Sequence, residues 1–520
     1  MWFTVVKDAE DQRMLTTNRP LNLLIVVICF FPLLFLGLFD LDEGVFAATS
    51  MQMVIESEYL LPMIGDELRI EKPILSYWIQ ALFITIFGFS EYAVRAPSLI
   101  AAVLWGYCFA TFVKENNSRF TRSDILINFF TLPGIFIISF AATADAFLNL
   151  FITLSLINLF KFEEQNNQKY LNIAAVNVAL GFLTKGFAII AICGLIFFTY
   201  CLFNKKIKVF FRGIFSFKAW LIFLFIAAPW FIFLFIQTDY ASISYLLFGQ
   251  SFGRFSDTFE NHGGTFFYYF IIFPLIVLPF FFDAVKGIYF SKPRANSFEL
   301  FMLTWFFVVF IFFSFSSTKL PHYLIYGLAP IAYFVEKNFR KDENKKFSFL
   351  GVFYQIFTWS LFLLLPFCLM YLLDVTQSLE VSKQSVEDFA SNISYKIFIG
   401  LVMLIIIVSY LTNKFAYKVK KMSAVFLIVL LTFWIMPFAQ NLSQQDIKLL
   451  GLYAKNTNYS VSMYKVNKPS FAFYANKISY RGLREDHLIL SRIDKESSFN
   501  FEYEVIMRSG NYFIFKIKSD

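Results

Sequence analysis

Carboxylates stand at the edges of apolar runs, where they can take part in chemistry. Asp42 and Glu43 directly follow the first apolar run, and Asp145 separates two apolar runs at a tight hairpin. A carboxylate at a membrane edge can deprotonate an attacking group, and an ionisable residue at that depth is a site candidate. The same residues can instead cap the helices that follow them. Position alone leaves both interpretations open.

Cations form a second set of candidates. Lys72 follows Arg69 and Glu71 and precedes Pro73, a residue that suits the first turn of a helix. There Lys72 can bind a lipid phosphate at headgroup depth, or can simply extend its side chain to the headgroups. Arg254 is the only cation in its loop, and its guanidinium suits two-point binding of a phosphate. Together these cations favour a phosphate site beside the membrane.

Lys319, His322 and Tyr323 open another apolar run. Lys319 can contact a phosphate while His322 and Tyr323 anchor the site, but Lys and Tyr also anchor helices at a membrane interface. His262 is a lone histidine whose spacing to other histidines gives no zinc signature. The sequence has no glycine-rich phosphate loop, serine elbow or HExxH motif. A site on the outer face of the plasma membrane meets no cytoplasmic nucleotide sugars or ATP, so an activated donor must reach it on a lipid.

Composition identifies the elements that must position these residues. Of the 520 residues, 58% are hydrophobic, 16% are charged and 74 are Phe, and the mean hydropathy is +0.61. Soluble domains carry about 25% charged residues, so we expect a polytopic membrane protein. The net charge of +8 comes from short clusters between apolar runs, which argues against nucleic-acid binding. The five Cys lie in or beside apolar runs, so we expect no disulfides.

Thirteen segments are predicted to span the membrane as helices. They are 21–39, 96–113, 125–142, 145–160, 171–184, 186–203, 218–237, 266–285, 298–316, 320–335, 348–373, 395–413 and 422–440. With a cytoplasmic amino terminus, the inner loops hold 22 Lys and Arg and the short outer loops hold five. This asymmetry favours that orientation and a periplasmic carboxyl terminus.

The regions outside these spans are also predicted to fold. The apolar segment 74–87 is either a fourteenth span or an interfacial helix, and its length favours the latter. Residues 44–56 form a second, weakly amphipathic candidate. Residues 441–520 predict a small α/β domain with a helix near 444–456, a strand over 460–466 and a hairpin of 501–507 with 512–518. We therefore expect domains at 1–440, with its first outer loop at 40–95, and 441–520.

A series of short motifs follows the predicted spans between residues 20 and 335. They are Asp42-Glu43-Gly44, the segments 69–78 and 87–98, Thr143-Ala144-Asp145, the segment 183–186, Ala228-Pro229-Trp230, Gly253-Arg254-Phe255, His262-Gly263 before Tyr268-Tyr269, and the segment 319–323. In order and placement this set resembles the C-type membrane glycosyltransferases. The similarity is to the branch that contains the bacterial 4-amino-4-deoxy-L-arabinose transferases and the protein O-mannosyltransferase relatives.

The resemblance implies thirteen membrane helices, two juxtamembrane helices and a periplasmic carboxyl-terminal domain. It also implies an inverting transfer from a polyprenyl-phosphate sugar, with Asp42 as the catalytic carboxylate and with Lys72 and Arg254 on the carrier phosphate. Asp145 and Glu71 match acidic residues of the same cavity. The candidate residues are Asp42, Asp145 and Glu43 for catalysis; Lys72, Arg254, Tyr323 and Lys319 for the donor phosphate; and Glu71, Arg69, His262 and His322 for the cavity.

Two departures leave parts of this interpretation open. Gly44-Val45-Phe46 stands where the aminoarabinose branch has Pro-Arg-Tyr, and Gln250-Ser251 stands where that branch tends to have Glu-His. A divalent metal and lipid A as the acceptor both stay open, as do another glycolipid, a glycan or a protein hydroxyl. We expect a monomer in the bacterial inner membrane. The rival hypotheses are a lipid or anion transporter and a non-catalytic scaffold, and the crowding of ionisable residues at the outer surface favours neither.

Overall fold

The computed structural model describes residues 19–253, 263–341, 349–376, 383–412 and 416–518 of the chain. Within these ranges seven helices are long and apolar enough to cross a membrane, and nine do so if each of two bent helix pairs counts as one span. The protein is thus a polytopic membrane protein. Each of the thirteen predicted segments overlaps a helix or a helix pair, and the count of thirteen spans stays a prediction.

The first part of the chain is almost entirely helical. Its helices are α1 (Arg19–Leu33), α2 (Asp42–Glu56), α3 (Leu75–Phe87), α4 (Glu91–Asn116), α5 (Arg122–Phe130), α6 (Pro133–Phe140), α7 (Asp145–Gln165), α8 (Gln168–Lys185) and α9 (Ala188–Phe203). The predicted span 125–142 is broken, because α5 and α6 meet at an angle of 82°. Pro133 disfavours helical backbone at Leu132, whose ψ is 117°, so the break falls there.

Helices also dominate the middle of the chain. They are α10 (Ile207–Ile214), α11 (Phe217–Gln237), α12 (Tyr240–Ser244), the π-helical Tyr245–Gly253, α13 (Tyr268–Ile276), α14 (Phe281–Tyr289), α15 (Ser297–Phe315), the 3₁₀-helical Pro321–Gly327, α16 (Ala329–Lys341), α17 (Phe349–Thr376), α18 (Lys383–Ser391), α19 (Ile393–Thr412), α20 (Ala416–Leu430), the π-helical Leu431–Ile435 and α21 (Met436–Ser443). The predicted span 266–285 is also divided, because α13 and α14 meet at 108° around Leu278-Pro279.

Burial separates central helices from peripheral ones. In α7, 72% of the most apolar window is buried inside the protein, whereas in α11 and α17 only 17% is buried. A helix that is apolar on every face but exposed requires a lipid environment. The helices α4, α7 and α15 therefore form the centre of the bundle, and α11 and α17 lie at its edge.

The segment between α1 and α4 is a folded loop that will be called the first loop (residues 34–90). It contains α2, a two-residue hairpin of β1 (Met63–Ile64) with β2 (Glu67–Leu68), and α3. The helices α2 and α3 agree with the candidates at 44–56 and 74–87. With 13 residues, α3 is about 20 Å long, which is too short to cross a hydrocarbon core of about 30 Å.

Residues 445–518 form a mixed α/β structure, which will be called the C-terminal unit. It contains α22 (Gln445–Lys455), β3 (Ser460–Met463), α23 (Ser470–Ala475), β4 (Ser479–Arg481), β5 (His487–Arg492), the 3₁₀-helical Ile493–Ser498, β6 (Tyr503–Ser509) and β7 (Tyr512–Ile517). The sheet order is β4-β3-β5-β7-β6, with β3 parallel to β4 and β5, and β7 antiparallel to β5 and β6. The predicted helix and hairpin lie close to α22 and β6–β7, and the predicted strand 460–466 is shorter, at β3.

Candidate functional site

A cavity of about 420 Å³ opens between the first loop and the central helices. It combines charged and phenolic groups with a larger apolar surface, which is the composition expected for a lipid with a charged head. Its lining residues are Glu71, Lys72, Pro73, Lys185, Gly186, Phe187, Ala188, Ala191, Ile192, Leu246, Gln250, Phe312, Phe313, Ser316, Tyr323 and Tyr326.

A buried carboxylate holds one of the cations on the cavity wall. Asp145 begins α7, Lys185 ends α8, and their Oδ1 and Nζ atoms are 2.6 Å apart. The hydroxyl of Tyr326 donates to the same Asp145 oxygen at 2.9 Å, and Lys185 Nζ donates to Tyr326 at 3.0 Å. This group, the cavity cluster (Asp145, Lys185 and Tyr326), fixes an ammonium group where a ligand can reach it. A charge fixed in advance stabilises a developing anion without reorganisation.

The first loop supplies the second cation. Lys72 lines the cavity one turn before α3, and its ammonium donates to the backbone carbonyl of Glu71 at 3.1 Å. The side chain of Glu71 forms an ion pair with Arg69, so Arg69 orients Glu71. The loop thus places a cation and a carboxylate side by side at the cavity.

His322 marks the point where charged groups from distant parts of the sequence converge. The charges of Asp145, Lys185, Asp42 and Lys72 all act on this imidazole. Its ring also packs edge-to-face on Tyr323, with 4.8 Å between ring centroids. Asp42 itself is exposed at the first position of α2 and is not among the residues that line the cavity. Its neighbours therefore leave Asp42 open to an incoming molecule.

The neighbouring Glu43 has a different position. It is 3% exposed, and its carboxylate accepts bonds from the guanidinium of Arg95 at 2.9 and 2.5 Å. The backbone N–H groups of Ala142 and Phe39 donate to the same carboxylate, at 2.7 and 2.8 Å. Glu43 is thus fully engaged in holding the first loop onto α4, and it does not line the cavity. Consecutive helical residues point about 100° apart, which separates its role from that of Asp42.

Lys319 also lies away from the cavity lining. Its buried ammonium donates to the carbonyl oxygens of Phe313 at 3.1 Å and Ser314 at 2.6 Å, at the end of α15. These are carbonyls that a helix C-terminus leaves without intrahelical partners. The geometry makes Lys319 a helix C-cap and gives no support to its predicted contact with a donor phosphate.

The structure thus brings together Lys72, Glu71 and Tyr323 on the cavity wall, with Asp145 bonded to a wall cation. Arg254 and His262 lie outside the described residues. Within the described ranges there is no group of three or more His, Cys, Asp or Glu side chains that could hold a metal ion. The sequence candidates omitted Lys185 and Tyr326. Lys185 could have been recognised from the sequence, because it is one of the few Lys and Arg residues in the short outer loops. The positive-inside rule does not explain a cation there.

The chain is similar to known proteins in both sequence and fold. The sequence profile of the family described as "Dolichyl-phosphate-mannose-protein mannosyltransferase" matches residues 71–233. A crystal structure of ArnT from Cupriavidus metallidurans bound to undecaprenyl phosphate superposes with a TM-score of 0.82, covering 95% of this chain and 97% of that one at 14% identity.

In sequence and in fold the chain is similar to membrane glycosyltransferases. Two relatives named undecaprenyl phosphate-alpha-4-amino-4-deoxy-L-arabinose arabinosyl transferase are similar over most of this chain. The one from Wigglesworthia glossinidia brevipalpis is 28% identical over 64% of this chain and 62% of its own length. The one from Proteus mirabilis is 30% identical over 63% of this chain and 60% of its own length. The match therefore spans about three fifths of the length of these curated glycosyltransferases.

Proposed function

We propose that this protein transfers a sugar from a polyprenyl-phosphate carrier to an envelope acceptor, with inversion at the anomeric carbon. The observation that carries the proposal is the cavity in which Lys72 and Lys185 stand beside an apolar wall that includes Phe187, Ile192 and Phe312. A lipid phosphate needs both surfaces in one place, cations for its head and carbon for its chain.

In the proposed reaction the bond between the anomeric carbon and the phosphate oxygen breaks, and the carrier leaves as polyprenyl phosphate. Lys72 and Lys185 stabilise the negative charge that develops on the leaving phosphate. The acceptor oxygen forms the new bond from the opposite face of the sugar, and Asp42 takes its proton. If the acceptor is an ionised phosphate, Asp42 has no proton to take and orients the acceptor. Arg254 is a third phosphate ligand on the strength of the resemblance.

The other candidates then act as supports. Asp145 and Tyr326 hold the Lys185 ammonium, Arg69 orients Glu71, and Tyr323 forms part of the cavity wall. Glu43 fixes the start of α2 and thereby the backbone that carries Asp42. The ionic partners of Glu43 support this positional role rather than direct chemistry.

The names of the relatives favour undecaprenyl phosphate carrying 4-amino-4-deoxy-L-arabinose as the donor. We take a lipid A-type glycolipid as the acceptor from the resemblance described above. A second candidate is a protein O-glycosyltransferase, which is favoured by the match of residues 71–233 to the protein mannosyltransferase profile. The residues that bind a carrier phosphate serve both candidates equally.

The proposal also includes the placement of the chain in the membrane. We propose thirteen spans, a cytoplasmic amino terminus, and a C-terminal domain of residues 441–520 in the periplasm of a bacterium, with a monomer as the active form. The excess of Lys and Arg in alternate loops supports this orientation. On this topology the first loop and its Asp42 face the periplasm.

Mass spectrometry of envelope lipids and glycoproteins tests the proposed function. Cells that lack the gene are complemented with the wild type, with Asp42→Asn, or with Glu58→Gln, which changes an exposed carboxylate on the same loop. Because loss of a general base costs roughly 10²–10⁴-fold in rate, Asp42→Asn should fail to restore a sugar mass that the wild type and Glu58→Gln restore. A sugar on a lipid identifies the first candidate and a sugar on a protein the second. Full restoration by Asp42→Asn would contradict the catalytic assignment.

A further inference from the structure

The C-terminal unit docks directly on the loop that carries Asp42. All six residues of α23 (Ser470–Ala475) are buried. Ala472, Phe473 and Tyr474 share one apolar cluster with residues of α2, α3 and α4 and of the adjoining segments, namely Leu38, Ala47, Ala48, Met51, Ile84, Ala93, Val94 and Ala142. This contact is a packed interface rather than a surface touch, because its residues are as buried as a protein core.

Polar contacts at the edge of this interface involve the residues just before Asp42. The backbone N–H of Ser470 donates to Asp40 Oδ1 at 3.0 Å, and Ser470 Oγ and Asp40 Oδ2 are 2.5 Å apart. The backbone N–H of Leu38 donates to the hydroxyl of Tyr474 at 2.7 Å. The C-terminal unit thus bonds to the chain two and four residues before Asp42.

Gly44 permits this close approach. A Cβ atom at residue 44 would lie 1.9 Å from Asp40 Oδ1 and 2.8 Å from the backbone nitrogen of Ser470. Any side chain at this position would separate Asp40 from Ser470. The glycine after Asp42-Glu43, which the sequence pattern left unexplained, is therefore the residue that the docking of α23 requires.

The C-terminal unit also contacts the far side of the same loop. Gly65 packs against the backbone carbonyl of Ser479, where a Cβ would lie 2.7 Å from the oxygen, and its φ of +65° is strained for other residues. The side chain of Gln52 bonds to both the N–H and the carbonyl of Gly65, at 2.8 and 2.7 Å, which ties α2 to the hairpin. Asp66 pairs with Arg484 of the C-terminal unit at 2.6 Å. The unit therefore holds the loop on both sides of α2.

We propose that the C-terminal unit is a positioning element for the transferase site, in which the Asp40–Ser470 contact, made possible by Gly44, sets the place of Asp42 relative to Lys72. Asp40, Gly44 and Ser470 are positioning residues and touch no substrate. This inference rests on the proposed function, since it assigns them to the site of sugar transfer. A mobile Asp42 would less often be placed to take the proton of the acceptor, so the turnover rate would fall. Donor binding would stay largely unchanged, because Lys72 and Lys185 stay in place.

The test uses the full-length protein in detergent and two matched pairs of variants. Asp40→Ala removes the contact, whereas Asp40→Asn keeps a carbonyl for the Ser470 N–H and an amide that donates to Ser470 Oγ. Ser470→Ala is matched by Ser491→Ala, another buried serine of the C-terminal unit, whose hydroxyl bonds to Tyr464 within that unit. Gly44→Ala is a third way to break the same contact.

Two measurements are made on every variant. The first is kcat and KM with undecaprenyl-phosphate 4-amino-4-deoxy-L-arabinose as donor and a lipid A-type glycolipid as acceptor. The second is hydrogen–deuterium exchange of the amides of residues 38–46. Asp40→Ala, Ser470→Ala and Gly44→Ala should lower kcat by roughly 10- to 100-fold with donor KM within about threefold of wild type, and should speed exchange. Asp40→Asn and Ser491→Ala should resemble the wild type in both.

Several results would overturn the inference. One is wild-type kcat and exchange in both Asp40→Ala and Ser470→Ala. Another is an Asp40→Asn variant as impaired as Asp40→Ala, because that would make the charge of Asp40 the requirement. If the wild type itself transfers no sugar, the proposed function fails, and the exchange measurement still decides whether the C-terminal unit orders the loop. If Ser470→Ala does not fold, the comparison of the two Asp40 variants decides.

Discussion

Two buried clusters each pair an aspartate with a lysine, but the two pairings have different results. In the closed cluster (Asp124, Glu336, Arg340 and Lys421), Lys421 bonds to both carboxylates at 2.8 Å, and Arg340 bonds to Asp124 at 2.8 Å and Glu336 at 3.0 Å. In the cavity cluster one carboxylate and one ammonium meet beside a cavity, and the side chains are 11% and 14% exposed.

The difference lies in how the charges are compensated. Two cations and two carboxylates of the closed cluster cancel one another, and the carboxylates of Asp124 and Glu336 are 1% and 0% exposed. In the cavity cluster, the ammonium of Lys185 lies on a cavity wall that also carries Lys72, so a bound anion can pair with both cations. Buried charge alone therefore does not identify a site, whereas buried charge that reaches a cavity does.

The largest effect is expected in the closed cluster. Lys421→Met removes one of the two cations that pair with Asp124 and Glu336, and loss of one partner of a buried ion pair costs about 3–5 kcal/mol. The melting temperature of the detergent-solubilised protein should therefore fall sharply. Lys161→Met, which removes a surface pair with Glu115, should cost less than about 1 kcal/mol. Equal melting temperatures of the two variants would show that the closed cluster adds no stability.

The cavity cluster should instead affect the rate. Lys185→Gln removes a preorganised cation, and loss of one such group costs roughly 10²–10³-fold in kcat. Asp145→Asn combined with Lys185→Gln should relieve the unpaired carboxylate and recover melting temperature, but it should not recover kcat. Sugar transfer and thermal melting measured on both variants separate the two roles. A wild-type kcat in Lys185→Gln would show that Lys185 has only a structural role.

A smaller effect is expected for the cation that the first loop supplies. Charge-assisted hydrogen bonds contribute about 1.5–3 kcal/mol, so Lys72→Gln should weaken donor binding by roughly 10- to 150-fold. Titration with undecaprenyl phosphate measures the donor affinity. The matched control is Lys319→Gln, because the Lys319 ammonium caps α15 and does not line the cavity. A loss of affinity in Lys319→Gln as large as that in Lys72→Gln would contradict the distinction between cavity cations and capping cations.

The smallest effect is a dependence of stability on pH at the interface of the first loop with the C-terminal unit. Burial raises the pKa of Asp40 from 3.8 to about 6, and bonds from Ser470 oppose this shift. The folded protein therefore binds this proton more tightly than the unfolded chain, and Asp40 should reduce stability as pH rises from about 4 to 6. Asp40→Asn should flatten that part of a plot of melting temperature against pH. The same slope in wild type and Asp40→Asn would exclude Asp40 as its source.

The sequence predicted the long apolar helices because each needs only a long apolar run. It predicted α3 from the length of its apolar segment and α2 from a weakly amphipathic pattern. It did not predict that 125–142 and 266–285 bend, although Pro133 and Pro279 lie at those breaks. Proline disfavours helical backbone before it, but the angle of a break depends on the helices packed around it. Hydropathy carries no information about that packing.

The candidate site was predictable in part. Lys72, Glu71 and Tyr323 were identified from their positions and from the resemblance, and they line the cavity. In the sequence, Glu43 and Lys319 looked equally suitable as site residues. In the structure, Glu43 is bonded to Arg95, and Lys319 is bonded to carbonyl oxygens at the end of α15. The partner of a charged side chain is set by tertiary packing over separations such as the 52 residues between Glu43 and Arg95, and no local pattern encodes it.

The proposed phosphate site can be tested most directly by an electron cryomicroscopy structure of the full-length protein with undecaprenyl phosphate. We expect the phosphate in the cavity, with its oxygens about 2.7–3.2 Å from Nζ of Lys72 and Nζ of Lys185, and with Asp42 on the side from which an acceptor approaches. A phosphate bound elsewhere, with both ammonium groups beyond hydrogen-bonding distance, would contradict the central claim that these distant residues converge on the head of a lipid-linked sugar.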